Sequence, residues 1–241
     1  MNLDTTKTVR EVALNHPAAT RVFEKLGIDY CCGGNRSLEQ ACGDASLHVQ
    51  QVRELLKSAV AAADGRSQAR NWLTESLADL IAHINNTHHK YTREESARLG
   101  PLFAKVCSVH GDKHPELLEM REKFQALGRE LSTHMMKEEM VLFPYIERME
   151  ESVIAGEPVL PSPFGSVNNP IAMMVHEHDS AGNLLRDMRE SSGGYQTPQG
   201  ACVSYQTLYS ALAEFERDLH QHIHLENNVL FPRAIEMERG R

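Results

Sequence analysis

Two peptides in this chain carry nearly the same set of donor atoms. HMMKEEMVLFP starts at His134 and HIHLENNVLFP starts at His222, an offset of 222 − 134 = 88 residues. Both read His-x3-Glu-x2-Val-Leu-Phe-Pro. Four residues along an α-helix return to within about 40° of the starting direction, one turn higher. His134 with Glu138, and His222 with Glu226, therefore each present an imidazole and a carboxylate on one helix face. Imidazole is the commonest protein metal ligand, and the chain holds thirteen histidines. His178 lies 44 residues before His222, and His89 lies 45 before His134. The pattern is that of two related helical hairpins, each with a histidine on its first helix and a His-x3-Glu pair on its second.

The surrounding apolar residues say which way the donors face. Leu208, Leu212, Phe215 and Leu219 lead by steps of three and four to His222 and Glu226. Phe124, Leu127 and Leu131 lead likewise to His134 and Glu138. The donors thus occupy core positions. An unpaired carboxylate there costs several kcal/mol, and a metal ion removes that cost most simply. The competing reading, half-exposed helix residues copied by duplication, leaves the core register of both glutamates unexplained. On the third helix Ile171, Met174, His178 and Leu185 share a stripe, which favours His178 over His176. On the first, Leu73, Leu77, Ile81 and Ile84 point closer to His88 than to His89, and spacing leaves that position open.

Four histidines and two glutamates in one core make a dinuclear site, with two imidazoles per metal and both carboxylates bridging ions on the order of 3.5–4 Å apart. Nitrogen and oxygen donors without thiolate leave iron, manganese and zinc as candidates, with coordination positions open to water, O2 or NO. Glu130 and Asp218 each sit four residues before a ligand histidine, and Glu177 adjoins another. They are candidate acceptors for ring N–H groups, or proton carriers.

Those donors need long helices to hold them. Four periodic segments, near 72–98, 115–150, 170–190 and 203–238, predict an all-α four-helix bundle over 72–241. Residues 63–71 read as a linker, and residues 1–62 as a small helical domain. In that domain Thr8 with Glu11 and Ser37 with Gln40 form capping boxes, and Gly27 is a helix stop. Between them lies DYCCGGN, a vicinal thiol pair, Cys31 and Cys32, followed by Gly33 and Gly34. One reading is a buried turn with the glycines at positive φ. The other is a mobile thiol pair, activated by the nearby helix N-terminus and used in transfer. Cys42 is expected close by, and Cys107 and Cys202 are expected to be structural.

The net charge of −8 is spread along the chain without a basic cluster, which argues against nucleic acid and anionic membranes as partners. No apolar run is long enough to span a membrane, and the N-terminus lacks a secretory pattern. Five irregularly spaced cysteines suit reduced thiols in the cytoplasm.

Residues 80–232 resemble a hemerythrin-like domain, whose mark is His-x3-Glu/Asp on antiparallel helices around two irons. With DYCCGG in front, the chain resembles the repair-of-iron-centres family; THMMKEE, EHD and LENNVLFPRA carry the match. That resemblance implies a non-haem, carboxylate-bridged di-iron centre held by His89, His134, Glu138, His178, His222 and Glu226. It favours His89 over His88, because the family's first ligand follows another histidine by six positions, as His89 follows His83. It also implies repair of iron–sulfur clusters damaged by oxidative or nitrosative stress, by donating iron. The expected partners are damaged or apo iron–sulfur proteins, NO and O2, and a second copy in a homodimer. NO reduction to N2O, and a gas sensor or store, are the alternatives.

Overall fold

The structure, a computed structural model, describes residues 4–63, 70–159 and 162–240. The linker expected at 63–71 falls mostly outside them. The chain divides into two compact units, Met1–Ser76 with Ile223–Pro232, and Leu77–His222 with Arg233–Arg241.

The first unit is built on α1 (Val9–Asn15), α2 (Ala19–Leu26), α3 (Leu38–Asp44) and α4 (Val49–Ala63). Both expected capping boxes form: Thr8 caps α1 with Glu11, and Ser37 caps α3 with Gln40. The two caps lie side by side, since Val9 N donates to Arg36 O and Leu38 N to Lys7 O. Gly27 ends α2 in the left-handed region at φ 69°. Val9, Val12, Phe23, Ile28, Tyr30, Leu38, Cys42, Val52 and Leu56 pack as its core.

Long helical rods make up the second unit, except that Ile223–Pro232 of the fourth rod belongs to the first. The first rod is α5 (Leu77–His83), a π-helical segment π1 (Ile84–His89) and α6 (Lys90–His110). The second is α7 (Glu116–Lys137), π2 (Glu138–Leu142) and α8 (Phe143–Ala155), and the third is α9 (Asn168–Ser191). The fourth is α10 (Val203–Leu225), π3 (Glu226–Leu230) and α11 (Phe231–Arg239). The backbone stays right-handed helical through every junction with a π segment, so each rod is continuous. The all-α bundle expected from the periodicity is present.

Two glutamates fasten the ends of the rods. Glu150 near the end of the second rod accepts from Leu77 N (2.7 Å) and Ala78 N (2.9 Å), the otherwise unmatched donors at the start of the first. Glu238 near the end of the fourth accepts from Val167 N (3.0 Å) and Ser166 Oγ (2.6 Å) at the start of the third. The arithmetic 238 − 150 = 88 repeats the offset of the histidines, so each hairpin is clasped in the same way. These glutamates carry no periodicity signal of their own; only the 88-residue repeat could have revealed them.

Candidate metal centre

The π segments decide which side chains reach the core. In π2 and π3 the bond spans five residues: Phe143 N donates to Glu138 O, and Phe231 N to Glu226 O. Pro144 and Pro232 follow at once. A helix proline has no N–H to give and collides with the carbonyl four residues back, and a wider turn relieves both. The Leu-Phe-Pro motif thus accounts for a π turn opening at each glutamate of the two His-x3-Glu pairs. In π1 the same widening adds one residue between Ile84 and the histidines, with Lys90 N donating to Asn85 O. An unbroken α-helix would place His88 on the stripe of Leu77, Ile81 and Ile84. The extra residue brings His89 there instead, which is why spacing alone left that position open.

His89, His134, Glu138, His178, His222 and Glu226 are all between 0 and 3% exposed. Their donor atoms form two clusters, His89–Glu138–His222–Glu226 and His134–Glu138–His178–Glu226, each within 4.8 Å internally. The clusters share both glutamates. Nε2 of His89 lies 3.0 Å from Nε2 of His222, and Nε2 of His178 lies 2.9 Å from Nε2 of His134. Neighbouring nitrogen donors on one ion, each about 2.1 Å from it at a right angle, stand roughly 3 Å apart. One oxygen of Glu138 is 3.4 Å from His89 Nε2 and 3.3 Å from His134 Nε2, so it faces both pairs. The donor set fits two cations bridged by carboxylates; four inward imidazole nitrogens beside two buried carboxylates call for positive charge.

The rings are held from behind. His134 Nδ1 lies 2.9 Å from Glu177 Oε2. Burial works against the charge of Glu177, but bonds from Lys137 and His134 outweigh it and keep its carboxyl below the ordinary range. His89 Nδ1 lies 2.7 Å from Glu139 Oε1, which also takes Arg93 Nη2 at 2.6 Å. For Glu139 too, burial raises the pKa and the bonds from Arg93 and His89 pull it below the ordinary value. The sequence reading missed Glu139. Its signal was weak, one acid beside another in KEE.

Asp218 lies 3.0 Å from His88 Nδ1, not from the histidine four residues after it, and the His88 ring stacks on that of His222 at 5.8 Å. Glu130 accepts from the Ser180 hydroxyl at 3.1 Å. It lines a cleft of about 400 Å3. Arg129, Lys137, His134, His176, Glu177 and His178 also line that cleft.

The cysteine turn is tighter than expected. Asp29 Oδ1 accepts from the backbone N of Cys31 and of Cys32, each at 3.0 Å, and the two sulfurs are 3.9 Å apart. Neither glycine has positive φ. Gly34 is needed for close approach: a Cβ there would sit 2.8 Å from Tyr30 O and 3.1 Å from the Arg10 Cβ. The expected lowering of thiol pKa fails for Cys31. Its hydrogen bond with Cys32, its burial and the charge of Asp29 push it well above the ordinary thiol value. Cys42 is buried in the same unit's core. Cys107 is buried, and Cys202 is exposed with its sulfur 3.1 Å from His110 Nε2.

Residues 80–234 match the hemerythrin HHE cation-binding domain, and residues 5–60 match a domain of unknown function, DUF542. The chain is 38% identical over 232 residues to the iron-sulfur cluster repair protein YtfE of Pectobacterium atrosepticum, covering 96% of this chain and 98% of that one. It is 36% identical over 225 residues to the protein of the same name in Citrobacter koseri, covering 93% and 94%. A probable iron-sulfur cluster repair protein of Haemophilus influenzae is 33% identical over 225 residues, covering 93% and 95%.

Proposed function

The chain belongs to the family of iron–sulfur cluster repair proteins with a hemerythrin HHE cation-binding domain, and from that premise we propose that it stores two iron ions and donates iron to damaged clusters. His89 and His222 would hold one ion and His134 and His178 the other, with Glu138 and Glu226 belonging to both donor clusters. The observation that carries this reading is the sharing of both glutamates by the two donor clusters. Iron bound there supplies an exchangeable metal with positions left open to a small ligand.

The chain's own residues do the rest. Glu139 and Glu177 fix the ring planes of His89 and His134 through Nδ1, so that each Nε2 stays aimed inward. Glu150 and Glu238 hold the starts of the rods that carry His89 and His178. The apolar core around the donors limits water, which strengthens every charge interaction inside it. Cys31 and Cys32 are the transfer thiols, Cys32 being the more exposed of the two. The client is an apo or damaged iron–sulfur protein in the cytoplasm; among the described residues no helix is long and apolar enough to cross a membrane.

Iron-loaded protein mixed anaerobically with an apo iron–sulfur protein and a mild chelator tests this. Iron should pass to the acceptor and restore its cluster absorbance. Iron retained throughout by the donor would refute donation.

The cleft lined by His134 and His178 favours a second reading, in which it would admit NO to the residues that would hold the metal, and the loaded, reduced protein would supply the electrons for NO reduction. N2O formed anaerobically by the reduced protein supports it, and N2O no higher than in buffer excludes it.

A further inference from the structure

The two copies of the His-x3-Glu peptide differ most where the difference is least expected. Two residues after the histidine the second rod has Met136 and the fourth has His224; six residues after, Met140 faces Asn228 in the comparison. Met136 is 51% and Met140 73% exposed, whereas His224 is 5% and Asn228 6% exposed. The apolar pair faces solvent and the polar pair is buried, the reverse of ordinary surface chemistry. Something must satisfy the buried amide, and the contacts of Asn228 identify it.

Asn228 Nδ2 is 3.1 Å from Tyr30 O, 3.4 Å from Cys31 O and 2.9 Å from His224 Nδ1. An amide nitrogen has two hydrogens, so one is shared by the adjacent carbonyls of the cysteine turn and the other goes to the imidazole. Reversing the amide would set oxygen against oxygen, which fixes its orientation. The backbone carbonyl of Asn228 is engaged as well. Four residues on stands Pro232, which has no N–H to donate in the α-helical pattern. Arg10 Nη2 donates to that carbonyl at 3.1 Å, while the backbone N of Arg10 donates to Gly34 O at 2.8 Å. Both ends of the Cys31–Gly34 stretch are thereby tied to one residue of π3.

We propose that Asn228 is a positioning residue that registers the Cys31–Cys32 turn on the π turn opening at Glu226. It holds the Cys31 carbonyl through its amide and, through Arg10, the far side of the same turn. Glu226 lies two residues earlier in π3, so the thiol pair keeps a fixed place relative to that carboxylate. The functional meaning rests on the reading above, in which the thiols assist iron transfer; the positioning itself does not.

Anaerobic pulse labelling of the full chain with iodoacetamide, read cysteine by cysteine by mass spectrometry, tests the proposal with and without iron. In Asn228→Ala the labelling of Cys31 should rise roughly tenfold, as for a local opening that has lost its anchor. Cys42, buried in the core of the same helical unit, should label no faster, and iron content should match the unsubstituted chain. If Cys42 rises in step with Cys31, Asn228 serves the fold of the whole unit and the positioning role is wrong. Unchanged Cys31 labelling overturns it equally. Should Asn228→Ala fail to fold, Arg10→Gln, which removes the bond to the Asn228 carbonyl and keeps the backbone bond to Gly34 O, should give a smaller rise of the same sign; no rise there is also fatal. Labelling of the iron-free chain decides the matter even if the iron assignment fails.

Discussion

His88 and His89 are neighbours with different partners, and that difference predicts different losses. His89 faces the other donors through Nε2 and is held by Glu139, whereas His88 meets Asp218 and stacks on His222. Replacing His89 with Ala should take the iron content from two per chain to one or fewer, measured by metal analysis after anaerobic purification. The same change at His88 should leave both irons in place. Five of the six residues that the structure brings together were legible from the sequence, because core stripes with steps of three and four point to them. The sixth was not, because a π turn adds a residue without any mark in the spacing. The cysteines teach a related lesson. Adjacent glycines suggested mobility, but Gly34 is there for close packing and Asp29 holds the turn. The raised pKa of Cys31 has a direct consequence. Below its pKa the group is a protonated, unreactive thiol, so at pH 7–8 alkylation should reach Cys32 well before Cys31. Cys31 should respond only as the pH climbs past the ordinary thiol range; equal rates at neutral pH would contradict the assignment.

At the scale of elements, the π turns and the glutamate clasps set the geometry of the rods. Asn86, exposed in π1, lies between Ile84 and His89. Deleting it leaves four steps between those two, the spacing that an unbroken α-helix needs to put His89 on the stripe. The deletion should therefore retain iron, with the rod reverting to plain α-helix; loss of both irons would show that the wide turn itself is required. Glu150 presents a different case, since its carboxyl accepts from two N–H groups at a helix start. Changing it to Gln should cost about 2 kcal/mol, and so about 4–8 °C in the melting temperature of a chain this size. Thermal unfolding by circular dichroism checks it, with Glu238→Gln expected to behave alike. Capping boxes at Thr8 and Ser37 were plain in the sequence because they are local. The long-range clasps were hidden because the residues they join lie more than seventy positions apart.

At the scale of the whole molecule, duplication explains the bundle and metal explains its polar centre. The four rods and the 88-residue repeat could both be read from periodicity, since each depends on many residues at once. The pairing of rods across the site could not, because it depends on which imidazole faces which in space. Two buried carboxylates without a cation should weaken the iron-free protein. Saturating iron at about 1,000 times its dissociation constant adds roughly 4 kcal/mol, or about 8–16 °C in melting temperature. Equal melting of the iron-loaded and iron-free chains would argue that the donors are held apart by packing alone. The most direct measurement is Mössbauer spectroscopy with metal analysis on anaerobically purified protein. Two magnetically coupled irons per chain are the predicted result. A single isolated iron, or none, would contradict the shared-carboxylate centre on which the account rests.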